Sequence, residues 1–149
     1  MTRQEARDVA MRVAWSYLGT WYRWGGDDPS GFDCSGLAVE VLKSVNLLGR
    51  DEDRSAANLC DYFKTEAVSI GEVKPGALVF FADAKEPAKI THVEIAVNGD
   101  LSLGASGGGS KTLTVEDAIR QNAYVKVRPI ARFGKLAVLR DPFLLFREV

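Results

Sequence analysis

The sequence predicts an α+β domain, with N-terminal helices packed on an antiparallel sheet of about five to six strands. Two observations carry this reading. Apolar residues recur at helical spacing in three stretches ahead of residue 66, and after Pro75 the period changes to two. The later apolar runs are joined by short turn signals. Among them is Asn98-Gly99, the dipeptide of a tight hairpin between antiparallel neighbours.

The bulk numbers fit one domain over residues 1–149 with a single core: 46% apolar and 26% charged residues. A net charge of -1 argues against a nucleic-acid binder, which needs a basic surplus. With two cysteines and one histidine, neither a disulfide framework nor a structural zinc site is expected, and no cofactor is implied. No apolar run approaches the roughly 20 residues of a membrane-spanning helix. Arg3, Glu5, Arg7, Asp8 and Arg12 interrupt the stretch where a secretory leader would be apolar. The expectation is therefore synthesis in the cytoplasm without a signal peptide.

Residues 3–18 read as an amphipathic helix, with Ala6, Val9, Ala10, Val13, Ala14, Tyr17 and Leu18 on one stripe. Thr2 is its N-cap, Glu5 completes a capping box and Gly19 stops it. Two glycines, two aspartates and a proline exclude regular structure across 25–31. The neighbouring Trp21, Tyr22 and Trp24 either line a cleft or cover the edge of the core. From Cys34 to about Leu47 the helical pattern returns, with Ala38, Val41 and Val45 on the face of Cys34. Residues 50–54 are a charged loop. Ser55 caps a third helix over roughly 56–65, in which Cys60 is mid-helix and structural.

Residues 77–81 form a buried strand after the Pro75-Gly76 turn. In the next strand, 90–97, Val93, Ile95 and Val97 face one side and His92, Glu94 and Ala96 the other. A third strand, 101–106, ends in Gly107-Gly108-Gly109-Ser110. This loop lacks the ending of a phosphate cradle and reads as the rim of a cleft. A short helix over 114–121 is capped by Thr114. Residues 124–132 and 136–146 read as two further strands, with Pro129 and Pro142 marking edges or bends.

Cys34 opens a helix directly after a Gly/Asp/Pro-rich loop. A thiol there sits beside open backbone N–H groups and the positive end of the helix dipole, both of which favour a thiolate. The other reading of Cys34 is a small buried apolar residue. His92, the sole histidine, is either structural or the base that a cysteine nucleophile needs.

Four segments in order decide between these readings: Tyr22-Arg23-Trp24-Gly25-Gly26, Phe32-Asp33-Cys34-Ser35-Gly36-Leu37, Lys74-Pro75-Gly76-Ala77-Leu78-Val79-Phe80-Phe81 and Ile90-Thr91-His92-Val93-Glu94-Ile95. Together they resemble the NlpC/P60 family of cysteine peptidases, over about Gly19 to Ser106. The resemblance implies a minimal papain-like fold and cleavage of an amide bond in bacterial cell-wall stem peptides, often between D-glutamate and a diamino acid. It implies Cys34 as nucleophile, His92 as base and Tyr22 as the hydroxyl that helps hold the oxyanion. Substrate contacts would fall at Asp33, Ser35, Trp24, Ser106 and Arg54, the last in an Arg-Ser pair. The implied partner is the peptidoglycan stem peptide. The enzyme would act on the wall as a phage lysin or exported toxin, or as a peptide-recycling enzyme in the cytosol.

Two positions depart from the family's pattern. Many members carry a histidine or other polar residue before an Ala-Ser pair, and it orients the catalytic ring; here that place is Gly104, before Ala105-Ser106. The family's His-Val-Gly-Ile is His92-Val93-Glu94-Ile95. Glu94, Ser102 or Ser106 then takes over as orienter, or a water or backbone carbonyl does, or the protein is slow or inactive. The alternatives to a hydrolase are a non-catalytic peptide-binding module on the same fold and an acyltransferase.

Overall fold

In the computed structural model, which describes residues 1–133 and 138–148, three helices precede a five-stranded antiparallel sheet. Helix α1 (Arg3–Ser16) starts at Thr2, whose hydroxyl accepts the Glu5 N–H at 3.0 Å while the Glu5 carboxylate accepts the Thr2 N–H at 3.2 Å. This reciprocal cap satisfies donors that the first turn leaves open. Its buried face is Ala6, Ala10, Met11 and Ala14, and the three alanines let it lie close to α2. Arg7, on the same face, is buried with them.

Helices α2 (Cys34–Lys43) and α3 (Ala56–Tyr62) are shorter than the apolar periodicity predicts. After α2 the chain turns through Asn46 at φ 60°, and after α3 it tightens into a 3₁₀ turn at Lys64–Glu66. The loop over 25–31 corrects the expectation of wholly irregular chain. Strand β1 (Asp27–Asp28) pairs antiparallel with β2 (Gly31–Phe32). The Asp28 carboxylate accepts the Ser30 N–H at 2.8 Å and closes the turn between them.

The main sheet contains β3 (Leu78–Ala82), β4 (Ile90–Ala96), β5 (Leu101–Ser106), β6 (Tyr124–Pro129) and β7 (Val138–Arg140), in the order β6-β5-β4-β3-β7. Helix α4 (Val115–Gln121), capped by Thr114, joins β5 to β6. The two last strands read from sequence are shorter than expected. The strand expected over 124–132 ends at Pro129, and a 3₁₀ turn follows at Ile130–Phe133. Of the strand expected over 136–146, residues 136 and 137 lie outside the described residues, and pairing ends at Arg140. Asp141 then caps a 3₁₀ turn at Pro142–Leu145, and proline, with no N–H for a ladder, suits its first position.

The helices cover one face of the sheet. Leu78, Phe80, Val93, Ile95, Leu103, Ala105 and Val125 meet Leu37, Val41, Leu59 and Phe63 in the larger core cluster. Each fully buried side chain such as Phe80 or Leu37 contributes about 1.5–3 kcal/mol. On the opposite face Ala77, Val79, Phe81, Ala96, Ile130 and Leu139 form a smaller cluster. The β4–β5 ladder is made at Ile95–Leu103 and Ala96–Ser102, next to the hairpin. It does not extend to His92, so this end of β4 is free to meet the start of α2. No helix among the described residues is long and apolar enough to cross a membrane.

Candidate active site

The start of α2 is fixed by Asp33. One carboxylate oxygen accepts the Gly36 N–H at 2.7 Å and the other accepts the Gly25 N–H at 3.1 Å, so one side chain caps the helix and ties down the preceding loop. Burial raises the Asp33 pKa, and the N–H donors of Gly36 and Gly25 work against that rise. The loop lies so close to the helix that a Cβ on Gly36 would stand 2.0 Å from the Gly26 carbonyl oxygen. Only glycine fits there, and the consequence is that Cys34, partly exposed, is held at a defined point of the first turn.

His92 faces it from β4. Its Nε2 lies 2.7 Å from Glu94 Oε2, and its ring stacks obliquely on Phe81 with centroids 5.8 Å apart. Glu94 is 1% exposed, and its Oε1 accepts the Ser102 hydroxyl at 2.6 Å. Burial alone would lower the His92 pKa. Hydrogen bonds with the Cys34 side chain and with Glu94, and the negative charge of both groups, override burial and raise it to about 9. The ring is therefore an imidazolium at neutral pH, a cation that faces the Cys34 sulfur.

Tyr22 borders the same cleft as Cys34 and His92. It is buried, and burial, followed by the charges of Cys34 and Asp33, pushes its phenol well above the ordinary tyrosine range. The hydroxyl stays protonated and available as a donor. Tyr22, Trp24, Asp33, Cys34, Ser35, Arg54 and His92 all line one cleft of about 430 Å³.

The remaining residues singled out from sequence divide. Trp24 stands half-exposed at the rim. Arg54 borders the cleft, but its guanidinium is occupied by Glu52 at 2.6 Å and Asn58 at 2.7 Å and lies 3.8 Å over the Tyr62 ring. Ser106 is buried, accepts a hydrogen bond from Arg128 and is not among the residues that border the cleft. Glu94 lies behind His92 rather than in the cleft. The cleft also takes in Asp53, Ser55, Thr91, Gly108 and Gly109. The sequence marks Asp53 only as part of the charged loop over 50–54. Its position beside the Arg54-Ser55 pair was the available signal. Among the described residues, no group of three or more His, Cys, Asp and Glu side chains is arranged to hold a metal ion.

The chain resembles known proteins in sequence and in fold. The model of the NlpC/P60 family matches residues 19–129. The chain is 32% identical over 106 residues to dipeptidyl-peptidase 6 of Lysinibacillus sphaericus, covering 70% of this chain and 34% of that protein. It is 31% identical over 125 residues to the gamma-D-glutamyl-L-lysine dipeptidyl-peptidase of Bacillus subtilis (strain 168), covering 83% of this chain and 40% of the relative. The chain thus spans little more than a third of the length of these relatives. Among solved structures, the NlpC/p60 domain of the peptidoglycan hydrolase SagA superposes with a TM-score of 0.67 at 27% identity, covering 91% of this chain and 97% of that one. Because the family model takes in well over half of the sequence, from the loop before Tyr22 to the end of β6, the chain belongs to the NlpC/P60 family.

Proposed function

We propose that this protein is a peptidoglycan hydrolase that cleaves an amide bond in cell-wall stem peptides through a thioester on Cys34. The observation that carries the reading is the cleft in which a helix-start cysteine, a histidine raised to about 9 and a protonated tyrosine converge. That set supplies a nucleophile, a general acid and an oxyanion donor. The Cys34 thiolate attacks the scissile carbonyl carbon, and the oxyanion that forms is met by the Tyr22 hydroxyl. Protonated His92 gives its proton to the leaving amine as the C–N bond breaks. His92 then takes a proton from water, the hydroxide attacks the thioester, and release of the acid restores the thiolate.

The bond we favour is γ-D-glutamyl to diamino acid. It is the bond printed in the name of the B. subtilis relative, with which this chain shares 31% identity. Asp33 and Ser35, beside the nucleophile in the same cleft, are the side chains we assign to the peptide's amine and carboxylate. Such a substrate lies in the wall, and the wall is where the proposed reaction takes place.

The test is digestion of purified sacculi of known stem-peptide chemistry, with the products sequenced by mass spectrometry. New amino termini on the diamino acid support the reading. Release of intact stems, or of sugar fragments with the peptides uncut, would sink it.

A further inference from the structure

We infer that Glu94 is the positioning residue of the His92 ring, reaching it from the histidine's own strand across a socket that Gly104 leaves open on β5. The inference rests on the reading of Cys34 and His92 as nucleophile and base.

Three observations carry it. First, side chains two residues apart on a strand share a face, so Glu94 has only to fold back along β4 to meet His92. It does so at 2.7 Å, on Nε2, which leaves Nδ1 as the ring nitrogen for Cys34. Secondly, both oxygens of this carboxylate are engaged, since Ser102 donates to Oε1 at 2.6 Å, and the side chain is 1% exposed. A carboxylate so deeply buried needs polar partners, and the His92 ring and the Ser102 hydroxyl are two of them. The result is a fixed ring orientation: Ser102 holds Glu94, and Glu94 holds His92.

Thirdly, Gly104 is glycine for a steric reason. Its φ is not among the left-handed glycines of the chain, so the backbone does not require it. A Cβ there would lie 2.5 Å from Glu94 Cγ, 2.9 Å from Cδ and 3.1 Å from Cβ. The Glu94 stem fills the place that any side chain at position 104 would take. Absence of a side chain on β5 and presence of a carboxylate on β4 are thus one arrangement.

Among the described residues, β6 adds Lys126 and Arg128 to this sheet face, in register with Gly104 and Ser102. Lys126 donates to the Asn122 carbonyl and Arg128 to Ser106. On the cleft side the ring faces Cys34, with Asp33 and Tyr22 beside it. All of these are unchanged in the variants below, so a difference between variants reads Glu94.

His92 is the only histidine in the chain, so its ring-proton resonances need no assignment. The experiment follows their titration by NMR in the wild type, Glu94→Gln and Gly104→Ala, with thermal melts and with kcat and KM on a stem peptide. The wild-type ring is expected to titrate near about 9. Glu94→Gln, which keeps shape and fold, is expected to titrate about one unit or more lower. Its kcat should fall roughly 10- to 100-fold with KM little changed. Gly104→Ala should reproduce that titration, because the methyl group displaces the carboxylate. A folded Glu94→Gln whose histidine titrates with the wild type overturns the inference, whatever Gly104→Ala does. A folded Gly104→Ala that titrates as the wild type overturns the socket. If the wild type releases no muropeptide but the titrations differ as expected, the proposed activity fails and the positioning role stands.

Discussion

Asp33 and Gly36 are joined by a 2.7 Å hydrogen bond that brackets Cys34: the carboxylate lies one residue before it and the N–H that the carboxylate accepts lies two residues after. The cap that starts the helix therefore also aims the sulfur. Asp33→Ala should cost about 0.5–2 kcal/mol of stability, seen as a lower Tm, and should lower kcat as the first turn frays. Asparagine caps helices about as well as aspartate but has one acceptor oxygen, so Asp33→Asn should keep the Gly36 bond, lose that of Gly25 and melt between wild type and Asp33→Ala. If Asp33→Asn also loses substrate affinity, the charge contacts the peptide. Equal KM for Asn and wild type would mean that Asp33 is a cap alone.

The protonation state of His92 gives a pH prediction with a fixed sign. The folded-state value of about 9 lies above the ordinary 6.5. The charged ring thus contributes stability that is fully present below about pH 6.5 and is lost as the pH rises through about 9. Activity should follow the same limb, because the leaving amine takes its proton from the imidazolium. A profile of kcat/KM against pH should stay high through neutrality and fall with a midpoint near 9. A fall centred near 6.5 would show that Cys34 and Glu94 do not hold the proton on the ring.

Away from the cleft, Arg7 and Asp141 tie the first helix to the last turn. The contacts are bidentate, at 3.1 and 2.7 Å, and both side chains are 3% exposed. Arg7 also donates to the Pro75 carbonyl at 3.1 Å and lies over the Phe143 ring. Arg7→Ala strands a buried carboxylate and should cost about 3–5 kcal/mol. For a chain of this size that is a fall in Tm of roughly 6–20 °C. Replacing both partners, as Arg7→Met with Asp141→Leu, should recover most of the loss, since no unpaired charge remains. A double variant no more stable than Arg7→Ala would show that the pair contributes beyond neutralising itself.

The sequence made some of this legible and hid the rest for physical reasons. The positions of Cys34 and Asp33 at a helix start were readable because a cap and the loop before it are local signals, whereas Tyr22 was singled out only by the family resemblance. His92 and Glu94 were readable as neighbours on one face because strand alternation is local too. That Glu94 is buried and spans Gly104 was not readable, because the distance between β4 and β5 at that level depends on where their ladder ends. Asp53 and Thr91 join the cleft through chain segments that meet only in the folded state. Arg7 looked like one of several charges on a polar helix, and its partner lies 134 residues away. The last two strands end at Pro129 and Arg140, earlier than their apolar runs, and a 3₁₀ turn follows each.

The central claim is that the Cys34 sulfur performs the chemistry. The most direct measurement is product release from one defined stem-peptide substrate by wild type and Cys34→Ala, each shown to be folded by its thermal melt. Truncating a partly exposed thiol to a methyl leaves the cap at Asp33 and the ring at His92 in place. The account predicts that Cys34→Ala falls to the uncatalysed background. Measurable turnover by Cys34→Ala above that background would contradict it.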